Sequence, residues 1–294
     1  MWPGLDRSAW LHATQQTRSV CPEPLWRTSH HFPSVAPVTS TTPTQDWALR
    51  TEGLTKDFRG FRAVSSVDLE VAEGTVHALV GPNGAGKTTL FNLLTGFLKP
   101  TSGRIRVFGD DVTGMAPERI TRHGVARSFQ ITSLFENLTP REHVEIALQG
   151  LTNQGLRFWR SEKLLGRRRE EVDRLLAEVG LTELADRPTG LMAYGQKRAL
   201  ELALVLAVEP RLLLLDEPTA GMGIEDVDRT IELVRRIAAG RTVVFVDHNM
   251  HVVAHLADRV TVLQQGSVLA EGPYDEVRAD PRVITAYLGE AHSA

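Results

Sequence analysis

Eight residues, Gly81-Pro82-Asn83-Gly84-Ala85-Gly86-Lys87-Thr88, have the types and spacing of a loop that holds phosphate, G-x-x-x-x-G-K-[ST]. They follow an apolar run, Val76 to Val80, that reads as a strand, and precede a helical pattern from Thr88 to Leu94. Glycines let such a loop wrap with its N–H groups pointing inward, and the helix N-terminus adds partial positive charge. Lys87 would then reach the β- and γ-phosphates, the Thr88 hydroxyl could ligate Mg²⁺, and Thr89 completes the phosphate-binding stretch. The ligand expected is ATP or a similar nucleoside triphosphate. A glycine-rich turn carrying an exposed lysine is the bland alternative, and the full spacing with both flanks argues against it.

A second signal lies downstream, where Leu212-Leu213-Leu214-Leu215 ends in Asp216-Glu217. A buried parallel strand would deliver both carboxylates at the carboxyl edge of a sheet, beside the phosphate loop. Asp216 is expected in the magnesium shell and Glu217 at the attacking water; alternatively the two acids merely cap the next segment. His248 follows another strand-like run, Thr242 to Asp247, and so reaches the same edge, where it could hold the γ-phosphate as its bond breaks. A single histidine at such a position is more often structural or solvated.

The elements that must position these groups are legible as alternating patterns. From Ala48, short β-like runs (Leu54 to Phe58, Val64 to Val71, Val76 to Val80, Arg104 to Val107) predict a small mixed sheet with turns at Gly60, Gly74 and Gly103. From Thr113 to about Gly190, helical spacing at Pro117 to His123, Thr139 to Gln149 and Arg168 to Val179 predicts a helical insertion. Helices at Gln196 to Val208, Glu225 to Ala239 and Met250 to Leu256 then alternate with strands at Leu212 to Asp216 and Thr242 to Asp247, the pattern of a buried parallel sheet. A hairpin around Gly266 and a last helix near Arg282 to Leu288 close the pattern.

Bulk properties narrow the classes. The 294 residues are 42% hydrophobic, enough for a sizeable core. A net charge of −3 supplies no broad basic field, so no nucleic-acid partner is expected. The single Cys21 excludes an internal disulfide framework and fits a reducing compartment. The longest apolar stretches, such as Leu202 to Val208, fall far short of the roughly 18 to 20 residues that span a bilayer. Residues 1–45 hold six of the 15 prolines and no sustained period. They read as a poorly ordered extension that lacks the apolar core of a signal peptide.

With these motifs in order, the chain resembles the ABC transporter ATPase family over about residues 48–290. The further residues that carry the resemblance are Met192-Ala193-Tyr194-Gly195-Gln196, ahead of a helix about twenty residues before Asp216, where the family has Leu-Ser-Gly-Gly-Gln. The resemblance implies an α/β P-loop NTPase cassette: a parallel-sheet core, an N-terminal antiparallel β subdomain and a helical signature subdomain at about 113–190, all within 46–290. It implies that Gly195 and Gln196 cap ATP bound by a partner ATPase, the same chain or a related one. It implies further that Phe58 stacks on adenine, and that Gln130, in Arg127-Ser128-Phe129-Gln130, links magnesium to a transmembrane permease through the segment 131–145. The alternatives are a core residue for Phe58 and a solvated loop amide for Gln130.

Ala193 departs from the family serine, and Gly223 stands where the family usually has aspartate. Ala193-Tyr194-Gly195-Gln196, Ala220-Gly221-Met222 and Tyr287-Leu288-Gly289-Glu290 resemble the branched-chain amino acid uptake group and its urea-transporting relatives. That group implies import at the cytoplasmic face of the plasma membrane, with a solute-binding protein as an indirect partner. An ATPase of a urea or lipid transporter, and a soluble ABC protein acting on ribosomes or DNA, remain open alternatives.

Overall fold

The computed structural model describes residues 46–128, 134–151 and 162–288. The proposed N-terminal extension, Gln130 and the end of the Tyr287 to Glu290 motif fall wholly or partly outside them.

Two sheets organise these residues. Trp47–Phe58 (β1), Phe61–Ala72 (β2), Ser102–Val107 (β4) and Asp110–Asp111 (β5) form an antiparallel sheet in the order β2-β1-β4-β5. Val76–Val80 (β3), which the sequence pattern groups with these runs, leaves them for a six-stranded sheet. That second sheet has the order β10-β9-β3-β8-β7-β6, with β6 at Val125–Arg127, β7 at Leu212–Asp216, β8 at Thr242–Val246, β9 at Arg259–Gln264 and β10 at Ser267–Gly272. Strands β6 to β9 and β3 run parallel, and β10 pairs antiparallel with β9 at one edge. The opening sheet is therefore antiparallel rather than mixed, as the family resemblance implies.

Alternation along the buried strands assigns their residues to two cores. Leu213, Leu215, Val243, Phe245, Ala78 and Val80 face one, while Leu212, Leu214, Val244, Val246 and Leu79 face the other. A strand buried on both faces must be apolar throughout, and this is why Leu212 to Leu215 carries no polar residue. The second core also takes Leu90, Phe91, Leu93 and Leu94 of the helix Lys87–Leu94 (α1), together with Leu49, Val64 and Ile105 of the antiparallel sheet. Helix α1 is thereby held between the two sheets. Each such side chain contributes about 1.5 to 3 kcal/mol by burial, so the helix behind the phosphate loop is firmly seated.

The remaining helices are Pro117–Arg122 (α2), Pro140–Leu151 (α3), Glu162–Glu178 (α4), Tyr194–Leu206 (α5), Ile224–Ala238 (α6), Met250–Leu256 (α7), Tyr274–Ala279 (α8) and Pro281–Leu288 (α9). Val172, Leu175 and Leu176 of α4 join Val144 of α3 and Leu200 of α5 in the first core. The helical stretch expected from Thr113 is interrupted by β6, which belongs to the parallel sheet through its pairing with β7. Three residues are too few to display a strand period, so only the pairing reveals it. No described helix is long and apolar enough to cross a membrane.

Candidate nucleotide site

The phosphate loop leaves β3 and turns into α1 under steric control from three sides. A Cβ at Gly81 would collide with the Leu263 carbonyl of β9, and one at Gly86 with the Ala63 carbonyl of β2. Gly86 also takes φ 101° at the N-cap of α1, a conformation that L side chains rarely adopt. The Gly266 N–H donates to the Ala85 carbonyl at 3.0 Å, and the Ser65 N–H donates to the Gly266 carbonyl at 2.8 Å. The β9–β10 turn thus braces the loop.

Within the loop the Ala85 N–H donates to the Pro82 carbonyl at 3.2 Å, leaving Asn83 and Gly84 exposed at its outer arc. Lys87 folds back, its Nζ donating to the carbonyls of Gly81 at 2.6 Å and Pro82 at 2.8 Å. Thr88 stands exposed in the first turn of α1, with Thr89 partly buried beside it. A fixed cation, a helix N-terminus and a loop free of bulky side chains make a cradle for phosphate.

Strand β7 ends in the two acids as its apolar run requires, and their environments differ. Asp216 lies in the sheet, its side chain 11% exposed, with Oδ2 accepting from Arg127 Nη2 at 2.6 Å. Glu217 lies just past the strand with φ 46°, a left-handed conformation that costs a non-glycine residue on the order of 1 to 3 kcal/mol. Its N–H donates to the Val246 carbonyl at 2.8 Å, which pins the turn to β8. From there Glu217 Oε1 accepts from His248 Nε2 at 2.8 Å. The two groups placed at one edge by their strand ends are therefore in direct contact. A carboxylate held on a strained turn and oriented by an imidazole suits the positioning of a water molecule.

The signature segment is built differently. Ala193 is the N-cap of α5 and has no side-chain acceptor; instead its own N–H donates to Gln196 Oε1 at 2.9 Å. Only the half of a capping box that uses the glutamine can form here. Tyr194 is 59% exposed, and its hydroxyl donates to the Ala220 carbonyl at 3.3 Å. Gly195 lies close to the Asp226 carboxylate. Farther along the helix, Arg198 Nη2 donates to the main-chain carbonyl of Asp216 at 3.3 Å, tying α5 to the end of β7.

The family model described as ABC transporter matches residues 64–220, more than half of the chain. The chain belongs to the ABC transporter family. A second model, described as branched-chain amino acid ATP-binding cassette transporter, matches residues 267–293 of this cassette. The cassette is 41% identical over 253 residues to the high-affinity branched-chain amino acid transport ATP-binding protein BraF of Pseudomonas aeruginosa, covering 83% of this chain and 98% of BraF. It is 38% identical over 250 residues to LivG of Escherichia coli, which carries the same description, with the same coverage. Among solved structures, an ATP-binding cassette of an ABC transporter in its ADP conformation superposes with a TM-score of 0.74 at 30% identity, over 83% of this chain and 99% of that one. A nucleotide-free ATP-binding cassette from an ABC transporter gives 0.72 at 29% identity, over 82% and 98%.

Sequence reasoning on this ABC cassette passed over three buried groups that the fold gathers at the site. Arg127 pairs with Asp216, and Arg198 reaches the carbonyl of the same residue. Asp247 is buried beside His248; its Oδ2 accepts from the Thr219 hydroxyl at 2.6 Å and its Oδ1 from the Asn249 N–H at 2.9 Å. It thereby ties the loop after Glu217 to the loop bearing His248. Weak signals existed: a charge at a strand end next to Phe129-Gln130, an arginine early in a helix whose later turns are mostly apolar, and an acid adjoining the histidine. Phe58 sits at the end of β1, 41% exposed, with Lys56 Nζ 5.1 Å from its ring centre, so it is available for stacking rather than lost to the core. Gln130 lies outside the described residues.

Proposed function

We propose that this chain energises the import of branched-chain amino acids through separate transmembrane permeases at the cytoplasmic face of the plasma membrane. It is the ATP-binding and ATP-hydrolysing subunit of an ABC transporter. It would work as one of two such subunits, paired with its own copy or a related ATPase, with a solute-binding protein delivering cargo to the permeases. The cargo assignment draws support from the family model over 267–293 and from the descriptions of BraF and LivG.

The observation that carries the hydrolytic reading is the 2.8 Å contact between Glu217 and His248, at the edge that also receives the phosphate loop. Lys87 and the N–H groups of residues 81–88 would hold the phosphates, and Phe58 the adenine. Glu217 would orient and polarise the attacking water, with His248 steadying Glu217 and the terminal phosphate. Gln130 would join this centre to the permease, and Gly195 and Gln196 would face the nucleotide of the partner. The Thr88 hydroxyl and the Asp216 carboxylate are oxygen donors, which suits Mg²⁺, a hard cation that keeps several of its waters. When bound, Mg²⁺ would neutralise charge on the phosphate oxygens. In this chain Gln196 already serves as a local cap, so its reach toward a second nucleotide would require the bond to Ala193 to open.

Reconstitution tests the assignment. With permeases and solute-binding protein in proteoliposomes, leucine, isoleucine and valine should raise ATP turnover and accumulate inside. Stimulation by urea instead would reassign the cargo. Turnover indifferent to permeases would remove the transport role.

A further inference from the structure

The family resemblance gives Arg127 no role beyond its place ahead of Gln130, yet it is among the most completely enclosed cations of the site, its side chain 10% exposed. It ends β6, and its guanidinium bridges two elements that carry nucleotide-binding groups. Nη2 donates to Asp216 Oδ2 at the end of β7. Nη1 donates to Asn92 Oδ1 at 2.6 Å and, more weakly, to Thr95 Oγ1 at 3.5 Å, both on or just past the helix that begins at Lys87. The guanidinium carbon stands 5.7 Å from the ring centre of Phe91 on the same helix. Its Nε is buried with no acceptor among the described residues, so the group sits where the Asp216 and Asn92 contacts hold it and not where all its donors are satisfied.

We propose that Arg127 is a positioning residue that sets the metal dependence of nucleotide binding by occupying one oxygen of Asp216 and balancing its charge. The proposal rests on the assignment of Asp216 to the magnesium shell. A bare carboxylate beside a triphosphate repels it and invites a cation to intervene. A carboxylate already shared with a guanidinium does neither to the same degree. With one oxygen committed, Asp216 is also fixed in orientation. Because the same guanidinium holds Asn92, the position of Asp216 is tied to that of α1.

The test is a pair of binding titrations on the full-length protein with a fluorescent ATP analogue, one in EDTA and one in saturating Mg²⁺. Arg127→Met removes the charge and the guanidinium and keeps an unbranched apolar stem. It should weaken metal-free binding by about tenfold while leaving Mg²⁺-supported binding within a few-fold, so the ratio of the two Kd values widens. Arg127→Gln, neutral but polar, should widen the ratio in the same way, so the outcome does not hang on the Met variant folding. Arg127→Lys should return the ratio most of the way to wild type. A ratio unchanged in both neutral variants overturns the proposal, as does a Lys variant no better than Met. Asp216→Asn separates the underlying assignment: it should erase most of the advantage conferred by Mg²⁺. If it leaves that advantage intact, the metal role of Asp216 fails; if it erases it while the Arg127 variants change nothing, only Arg127 fails.

Discussion

The phosphate loop and the signature segment are both loop-to-helix junctions, and they are built in opposite ways. The loop at residues 81–88 is held by main-chain contacts from β2 and from the β9–β10 turn, and its lysine is bonded to its own carbonyls. The segment at residues 191–196 exposes Leu191 by 65% and Tyr194 by 59%, begins a helix without a side-chain N-cap, and spends its glutamine on its own main chain. One junction is finished within the chain. The other has the features of a surface awaiting something to face. A cradle with its main chain already braced takes nucleotide with little more than its lysine turning from its own carbonyls, whereas an exposed helix end gains its role only when a second surface closes on it. Substitutions in the two regions should therefore fail differently, the first in binding by the isolated chain and the second in events that need a partner.

The largest effect expected is that of Glu217→Gln, which should cut ATP turnover by about 10² or more while leaving nucleotide affinity nearly intact, the scale of losing a general base. Trapped ATP should then hold two ATPase subunits together, and replacement by ADP should release them. Light scattering decides between these states. Normal turnover would remove Glu217 from the reaction. A Glu217→Gln protein that stays monomeric with ATP beside its cognate ATPase would dissolve the contrast between a finished and an awaiting half.

Next comes Lys87→Ala, which removes the ammonium fixed over the loop. Each charge-assisted bond lost is worth roughly 1.5 to 3 kcal/mol, so ATP affinity of the isolated chain should fall by at least about tenfold. Calorimetry giving unchanged affinity would mean that the cradle works without its cation.

The seating of the finished half can be probed through His77 of β3, whose Nε2 lies 2.7 Å from the Thr261 hydroxyl of β9. Burial, with the Arg259 charge adding to it, pulls this imidazole from 6.5 down to about 4. The folded state thus resists a proton that the unfolded chain accepts below pH 6.5, and stability is lost as the pH falls from there toward 4. Between pH 7.5 and 5 the loss from this one group should be about 2 kcal/mol. Denaturant unfolding at both pH values should show a smaller decline in His77→Gln; an equal decline would assign the pH sensitivity elsewhere.

The smallest effect tests the signature end. Ala193→Ser restores an N-cap acceptor to α5 and should stabilise the protein by about 0.5 to 2 kcal/mol. Because it also adds a hydroxyl beside Gly195, turnover in the assembled transporter should rise modestly while nucleotide affinity of the isolated chain stays constant. A change in that affinity would show that the signature segment already meets nucleotide within one chain.

The expectations that held were those carried by local rules. Leu212 to Asp216 and Met250 to Leu256 have the boundaries expected of them, because an apolar run buried on both faces and an amphipathic turn are readable residue by residue. The strands at Val76 and Val125 show the limit. Their pattern says strand, or in three residues says nothing, but which sheet a strand joins depends on partners more than eighty residues away. The helix Tyr274–Ala279 gave no clear signal, since six residues barely complete a turn and a half.

By itself the sequence determined the phosphate loop, because a glycine at positive φ, a helix N-terminus and a lysine at fixed spacing are properties of neighbours along the chain. It also determined that Asp216, Glu217 and His248 come at or just past the ends of buried strands, since the apolar runs before them allow little else. Only the tertiary structure decided that Glu217 meets His248 across 31 residues and that Arg127 claims Asp216 across 89. A charge pairs with whatever the fold brings within about 3 Å, and strand order, set by burial of two sheet faces at once, is what brings it there.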